Sequence, residues 1–138
     1  MNVLAASVQL MANLLALDQS SHTTGYSVFK DGTHIKTSHF DCNSNDLGDR
    51  LEQLRDTIIE LIKEYDIDEV VFEDIQLQDV NGSKEVGIKT FKILAETFGV
   101  VHELLTECNI KYTAVLPIKW KAHFKIAGKG RSQEKKLT

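Results

Sequence analysis

Apolar residues recur along the chain in two rhythms, one of every second position and one of three and four. Leu14-Leu15-Ala16-Leu17 is a short apolar run that stops at a carboxylate, Asp18, and reads as a buried strand. Residues 23–30 and 33–40 read as two further strands joined around Asp31-Gly32. Asp-Gly between strand-like runs is hairpin chemistry, because both positions tolerate φ > 0. Asn43 to Asp46 is a polar stretch able to cap a helix. Leu47, Leu51, Leu54, Ile58, Leu61 and Tyr65 then follow at steps of four and three, the apolar stripe of a helix. Residues 69–73, Glu-Val-Val-Phe-Glu, form the next strand.

Residues 77–84 are polar, contain Asn81-Gly82, and read as a loop. A second long helix is predicted over 85–107, with Phe91, Leu94, Phe98, Val101 and Leu105 on its stripe. Ile88, Ile93, Ala95, Val100 and Leu104 widen that stripe beyond one face, so the helix needs two partners. One is the sheet; the other is a second subunit or further residues of this chain. Gly99 inside it permits close backbone approach but costs about 1 kcal/mol against Ala. Ile110 to Val115 alternates like a strand, Pro117 opens a helix, Gly128-Lys129-Gly130 interrupts it, and Ser132 to Thr138 begins another. The resulting order is an α/β arrangement with five strands, in which 14–18 and 69–73 are joined through a helix and can pair in parallel. Neighbouring strands lie about 4.8 Å apart, so Asp18 and Glu73 would then end side by side.

Composition adds boundaries. The 138 residues fit one domain, with 42% hydrophobic and 26% charged residues, and no apolar run is long enough to cross a membrane. Residues 1–12 are read as a leader or extension, since Met11 can serve as an alternative start, and 13–138 as the domain. Cys42 and Cys108 lie outside any Cys-x-x-Cys pattern, which fits a reducing, cytoplasmic compartment. The net charge of −4 conceals an asymmetry. Residues 111–138 hold eight Lys/Arg and one acid, a balance of +7; residues 1–110 hold eight Lys/Arg and 19 acids, a balance of −11. A basic segment on an acidic body fits a polyanion-facing surface and fits a solvated helix face equally well.

The candidate chemistry is carboxylate chemistry. Asp18 and Glu73 each end a buried strand, and hard carboxylate oxygens suit Mg²⁺ or Mn²⁺. Two such ions commonly serve phosphodiester cleavage, with three or four carboxylates between them. Asp74 neighbours Glu73 but belongs to the opposite face. Taken alone, Asp18 reads as the start of a turn and Glu73 as a strand end; the pattern around them selects a site. The five histidines have no zinc-like spacing with cysteine, and only His22, in the loop after Asp18, is placed to approach a bound phosphate. Lys119, Lys121, Lys125, Lys129, Arg131 and Lys135 suit contacts to a phosphate backbone. Trp120 among them is read first as a core residue and second as a base-stacking one.

Three segments in order resemble the RuvC-type Holliday junction resolvases of the RNase H-like superfamily, most closely their phage branch. Leu15-Ala16-Leu17-Asp18-Gln19-Ser20-Ser21-His22-Thr23-Thr24-Gly25-Tyr26 resembles the first motif, and Val70-Val71-Phe72-Glu73-Asp74-Ile75-Gln76 the second. Pro117-Ile118-Lys119-Trp120-Lys121 and Gly128-Lys129-Gly130-Arg131 resemble the basic stretch before the last catalytic helix. The resemblance implies an RNase H-like mixed sheet of about five strands flanked by helices. It implies a bacterial, cytoplasmic and even phage-encoded endonuclease, a homodimer through helix 85–107 that grips branched DNA and nicks it with Mg²⁺ or Mn²⁺. Asp18 and Glu73 carry over as metal ligands. Two departures stand out. The family's further acids, a pair three residues apart on a C-terminal helix, have no counterpart at 119–138, where Glu134 is the sole acid. This chain is therefore expected to lack that helix. The aromatic that some members place after the catalytic Glu is replaced by Ile75-Gln76-Leu77-Gln78. Two alternatives accompany the resemblance: a catalytically incomplete branched-DNA-binding module of the same fold, and an actin-like kinase fragment.

Overall fold

The computed structural model describes residues 12–75 and 84–116. The elements run β1 (Leu14–Asp18), β2 (Thr23–Lys30), β3 (Thr33–Asp41), α1 (Leu47–Glu64), β4 (Glu69–Glu73), α2 (Lys84–Glu107) and β5 (Lys111–Val115). The five strands form one mixed sheet in the order β3-β2-β1-β4-β5. β1 is antiparallel to β2 and parallel to β4, and β4 is parallel to β5.

Within the described residues the predicted elements form where the pattern puts them, shifted by a residue at three ends. The β2–β3 hairpin closes on Asp31 and Gly32, both at positive φ (53° and 80°). These are the backbone angles that an Asp-Gly turn makes accessible. Asp46 caps α1: its carboxylate accepts the Asp49 N–H at 3.0 Å. Ser44 Oγ accepts the Asp46 N–H and donates to the Asp49 carboxylate. Both helices end through a residue at positive φ, Asp66 after α1 and Asn109 after α2. The Ile67 and Ile110 N–H groups then reach back to the Ile62 and Leu105 carbonyls, closing the last turns. Asn13 stitches the start of β1 to the turn after α1. It donates to the Asp68 carboxylate and the Asp66 carbonyl and accepts from the Asp68 N–H.

Strand alternation sends Leu15 and Leu17 of β1 and Val70 and Phe72 of β4 to one face, where Leu54, Ile58, Leu61 and Ile62 of α1 and Val101, Leu104 and Leu105 of α2 cover them. Burying each such side chain contributes about 1.5–3 kcal/mol. Both helices therefore pack on the same face. Arg55 of α1 fastens the pair through Glu107 and Glu103 of α2, which raise its pKa further.

On α2, Val101, Leu104 and Leu105 are buried, whereas Ile88 is 66% and Leu94 44% exposed, so the second partner of the wide stripe is not found among the described residues. Among the described residues nothing approaches Gly99: a Cβ there would meet open space. Residues 77–83 of the predicted loop, residues 1–11 of the leader and everything from Pro117 onward lie outside the described residues.

Candidate metal centre

Parallel pairing of β1 with β4 runs in the register Leu15↔Val70, Ala16↔Val71, Leu17↔Phe72. One step further along, the two strands end in Asp18 and Glu73. Leu17 and Phe72 point into the core, so the next residue of each strand turns to the other face, away from both helices. The two carboxylates thus share one face at one edge, as the sequence pattern anticipates. Asp18 is exposed and Glu73 half-buried. On the opposite flank Asp18 pairs with Gly25 of β2, whose absent side chain would have come 3.8 Å from the Asp18 Cβ. Glycine here keeps that side of Asp18 open.

Glu73 is held from both sides. Its N–H and C=O face β1, but β1 has ended at Asp18. The Gln19 carboxamide takes the place of the missing strand: Gln19 Nε2 donates to the Glu73 carbonyl at 2.6 Å and Gln19 Oε1 accepts the Glu73 N–H at 3.1 Å. On the β5 side the Asp74 N–H donates to the Val115 carbonyl at 2.8 Å. The Asp74 carboxylate is turned to its own backbone and accepts the Ile75 N–H at 2.7 Å.

The loop after Asp18 is equally tied down. Ser20 Oγ accepts the His22 N–H, Thr24 Oγ1 bridges the N–H and the carbonyl of Ser20, and the His22 carbonyl accepts from Cys42 N–H. Arg50, buried at 7% exposure, donates from Nε to the Ser21 carbonyl and from Nη1 to the Ser44 carbonyl. Sequence reading missed both Gln19 and Arg50. Gln19 carries no local signal. Arg50 had one, being a charged residue on the apolar stripe between Leu47 and Leu54. Burial pushes the Cys42 thiol above its ordinary pKa, with Asp41 adding and Arg50 opposing, so this cysteine stays a protonated core residue.

Asp18 and Glu73 fit a hard divalent cation. Mg²⁺ is commonly held by one or two carboxylates while keeping several waters, and an exposed strand edge leaves room for those waters. Among the described residues no group of three or more His, Cys, Asp or Glu could hold a metal ion, so the set here is the pair. His22 is exposed in the loop after Asp18, whereas His102 is a hydrogen-bond partner of the Tyr112 hydroxyl on α2's side of the sheet. The basic residues Lys119, Lys121, Lys125, Lys129, Arg131 and Lys135, and Trp120, lie outside the described residues.

Comparison with solved structures identifies the architecture. Thermus thermophilus RuvC in complex with a Holliday junction substrate superposes with a TM-score of 0.61 at 13% identity, over 80% of this chain and 68% of that one. A second Thermus thermophilus RuvC structure gives 0.55 at 12% identity, over 76% and 64%. The fold is RNase H-like. At these identities the likeness extends to the fold alone. No protein-family model and no curated protein matches the chain in sequence. Among the described residues, no helix of this RNase H-like domain is long and apolar enough to cross a membrane.

Proposed function

We propose that this chain is a structure-selective endodeoxyribonuclease domain that hydrolyses phosphodiester bonds in branched DNA such as Holliday junctions, using Mg²⁺ or Mn²⁺. The observation that carries the reading is the β1–β4 register, which ends in neighbouring carboxylates on the face of an RNase H-like sheet that neither described helix covers. The RuvC structure of the same fold holds a Holliday junction substrate, which supports the substrate class.

In this reading Asp18 and Glu73 are the metal ligands and catalytic carboxylates. A divalent ion there would supply charge stabilisation at the phosphoryl oxygens and a more acidic bound water. Gly25 leaves space for the substrate beside Asp18. Lys119, Lys121, Lys125, Lys129, Arg131 and Lys135 hold phosphates and set the register of the DNA without reading its bases. The protein acts as a homodimer through α2, whose exposed Ile88 and Leu94 await a partner surface. A branched-DNA-binding module without cleavage is the second reading, favoured by the two-carboxylate set among the described residues.

A labelled four-way junction tests this. With Mg²⁺ any form of the protein that holds the full carboxylate set is expected to nick paired strands, and Asp18→Asn to abolish that nicking while junction affinity stays within about twofold. Lys→Ala changes over 119–135 are expected to reduce the salt slope of binding by about one for each phosphate no longer neutralised. Binding without nicking selects the second reading. No preference for the junction over linear duplex overturns both.

A further inference from the structure

We propose that Gln19 is a positioning residue that pins the Glu73 backbone beside the end of β1 and so sets divalent-ion affinity; this rests on the metal-site reading above. Parallel strands share evenly spaced backbone bonds, and β1 stops one residue short of satisfying Glu73. An unpaired backbone N–H and C=O at that half-buried position would let the end of β4 fray. A primary carboxamide presents one donor and one acceptor side by side, which matches the N–H and C=O of a single strand residue. Gln19 makes both bonds, at 2.6 and 3.1 Å, across 54 positions of sequence.

Gln19 directly follows Asp18. One residue therefore carries the first carboxylate and the next clamps the backbone of the second. The clamp ties the two acids to a common frame, as outer-shell hydrogen bonds do for ligands elsewhere. Gln19 is uncharged, so its removal changes no electrostatic attraction for the ion. A loss of affinity in its absence reports geometry. The chain length is also selective: Asn is one methylene short of both contacts, and Glu at neutral pH retains the acceptor for the Glu73 N–H but sets an anion against the Glu73 carbonyl.

Two readouts on the intact 138-residue chain decide this. The first is hydrogen exchange of the Glu73 amide in the metal-free protein. Gln19→Ala is expected to lower its protection at least about tenfold, while Leu17 and Val70 in the same ladder keep theirs; Gln19→Glu retains most of the Glu73 protection. The second is calorimetric titration with MnCl₂. Gln19→Ala and Gln19→Asn are expected to bind Mn²⁺ about tenfold or more weakly than the wild type. Unchanged Glu73 protection in Gln19→Ala overturns the clamp. Wild-type and Gln19→Ala chains that bind Mn²⁺ equally tightly overturn its effect on the ion and leave the site intact. A wild-type chain that takes up no Mn²⁺, with Glu73 protection lost as expected in Gln19→Ala, overturns the site reading and with it the role assigned to Gln19.

Discussion

Arg50→Met should destabilise the domain, although it removes a buried charge. Arg50 is 7% exposed, and among the described residues no carboxylate forms an ion pair with it. Its partners are two backbone carbonyls, Ser21 at 3.1 Å and Ser44 at 2.9 Å. Hydrogen bonds from a charged donor contribute roughly 1.5–3 kcal/mol each, so losing both costs about 3–6 kcal/mol. Relief from desolvating the guanidinium opposes this by several kcal/mol. Replacing both members of a buried ion pair by apolar residues is often neutral or stabilising. Here only one member can be replaced. The carbonyls stay, and each is left short of a partner. The carbonyls decide the sign, and we expect a net loss of about 2 kcal/mol. For a domain of this size that lowers Tm by roughly 6–10 °C. Calorimetry or urea unfolding of Arg50→Met against wild type measures it, and Met preserves most of the volume. Hydrogen exchange of the amides over 20–23 should rise beyond the global effect, because Arg50 ties that loop to residue 44. A Met variant as stable as wild type would refute the account, since the carbonyls would then be finding other partners without cost.

Gly99→Ala should stabilise the domain against unfolding by about 1 kcal/mol, because its Cβ meets open space and Ala is the better helix former. A destabilised variant, read by thermal melting, would mean that this face of α2 is covered. In the native state one thiol should react promptly with a disulfide reagent, Cys108, and Cys42 only on unfolding. Two prompt thiols would contradict the burial. The raised Cys42 pKa also carries a sign. Its contribution is full below the thiol's unfolded pKa and is lost as pH rises through the folded one, so Cys42→Ala should flatten the alkaline fall of stability.

Much of the fold was legible because local chemistry and global pattern agree. Asp31-Gly32 takes positive φ at both positions, Asp46 caps the helix that the four-and-three stripe announces, and Leu15, Leu17, Val70 and Phe72 alternate as a one-sided sheet demands. The two carboxylates were legible for the same reason, since an apolar strand that ends in an acid delivers that acid to the sheet edge. What escaped was long-range. Gln19 reaches across to a strand 54 residues on, and nothing in its neighbours signals that β1 would stop one ladder step early.

The open face of the sheet ties these features together. Among the described residues both helices lie on the Leu17–Phe72 side, so the side carrying Asp18 and Glu73 is left for solvent, ions or a bound partner. Asp18 is exposed while the residue before it, Leu17, is 1% exposed. Among the described residues, the backbone at this end of the sheet is held by side-chain and main-chain hydrogen bonds. Gln19 against Glu73, Arg50 against Ser21, and Asp74 against Val115 supply them, each holding a strand end or loop where the ladder itself has run out.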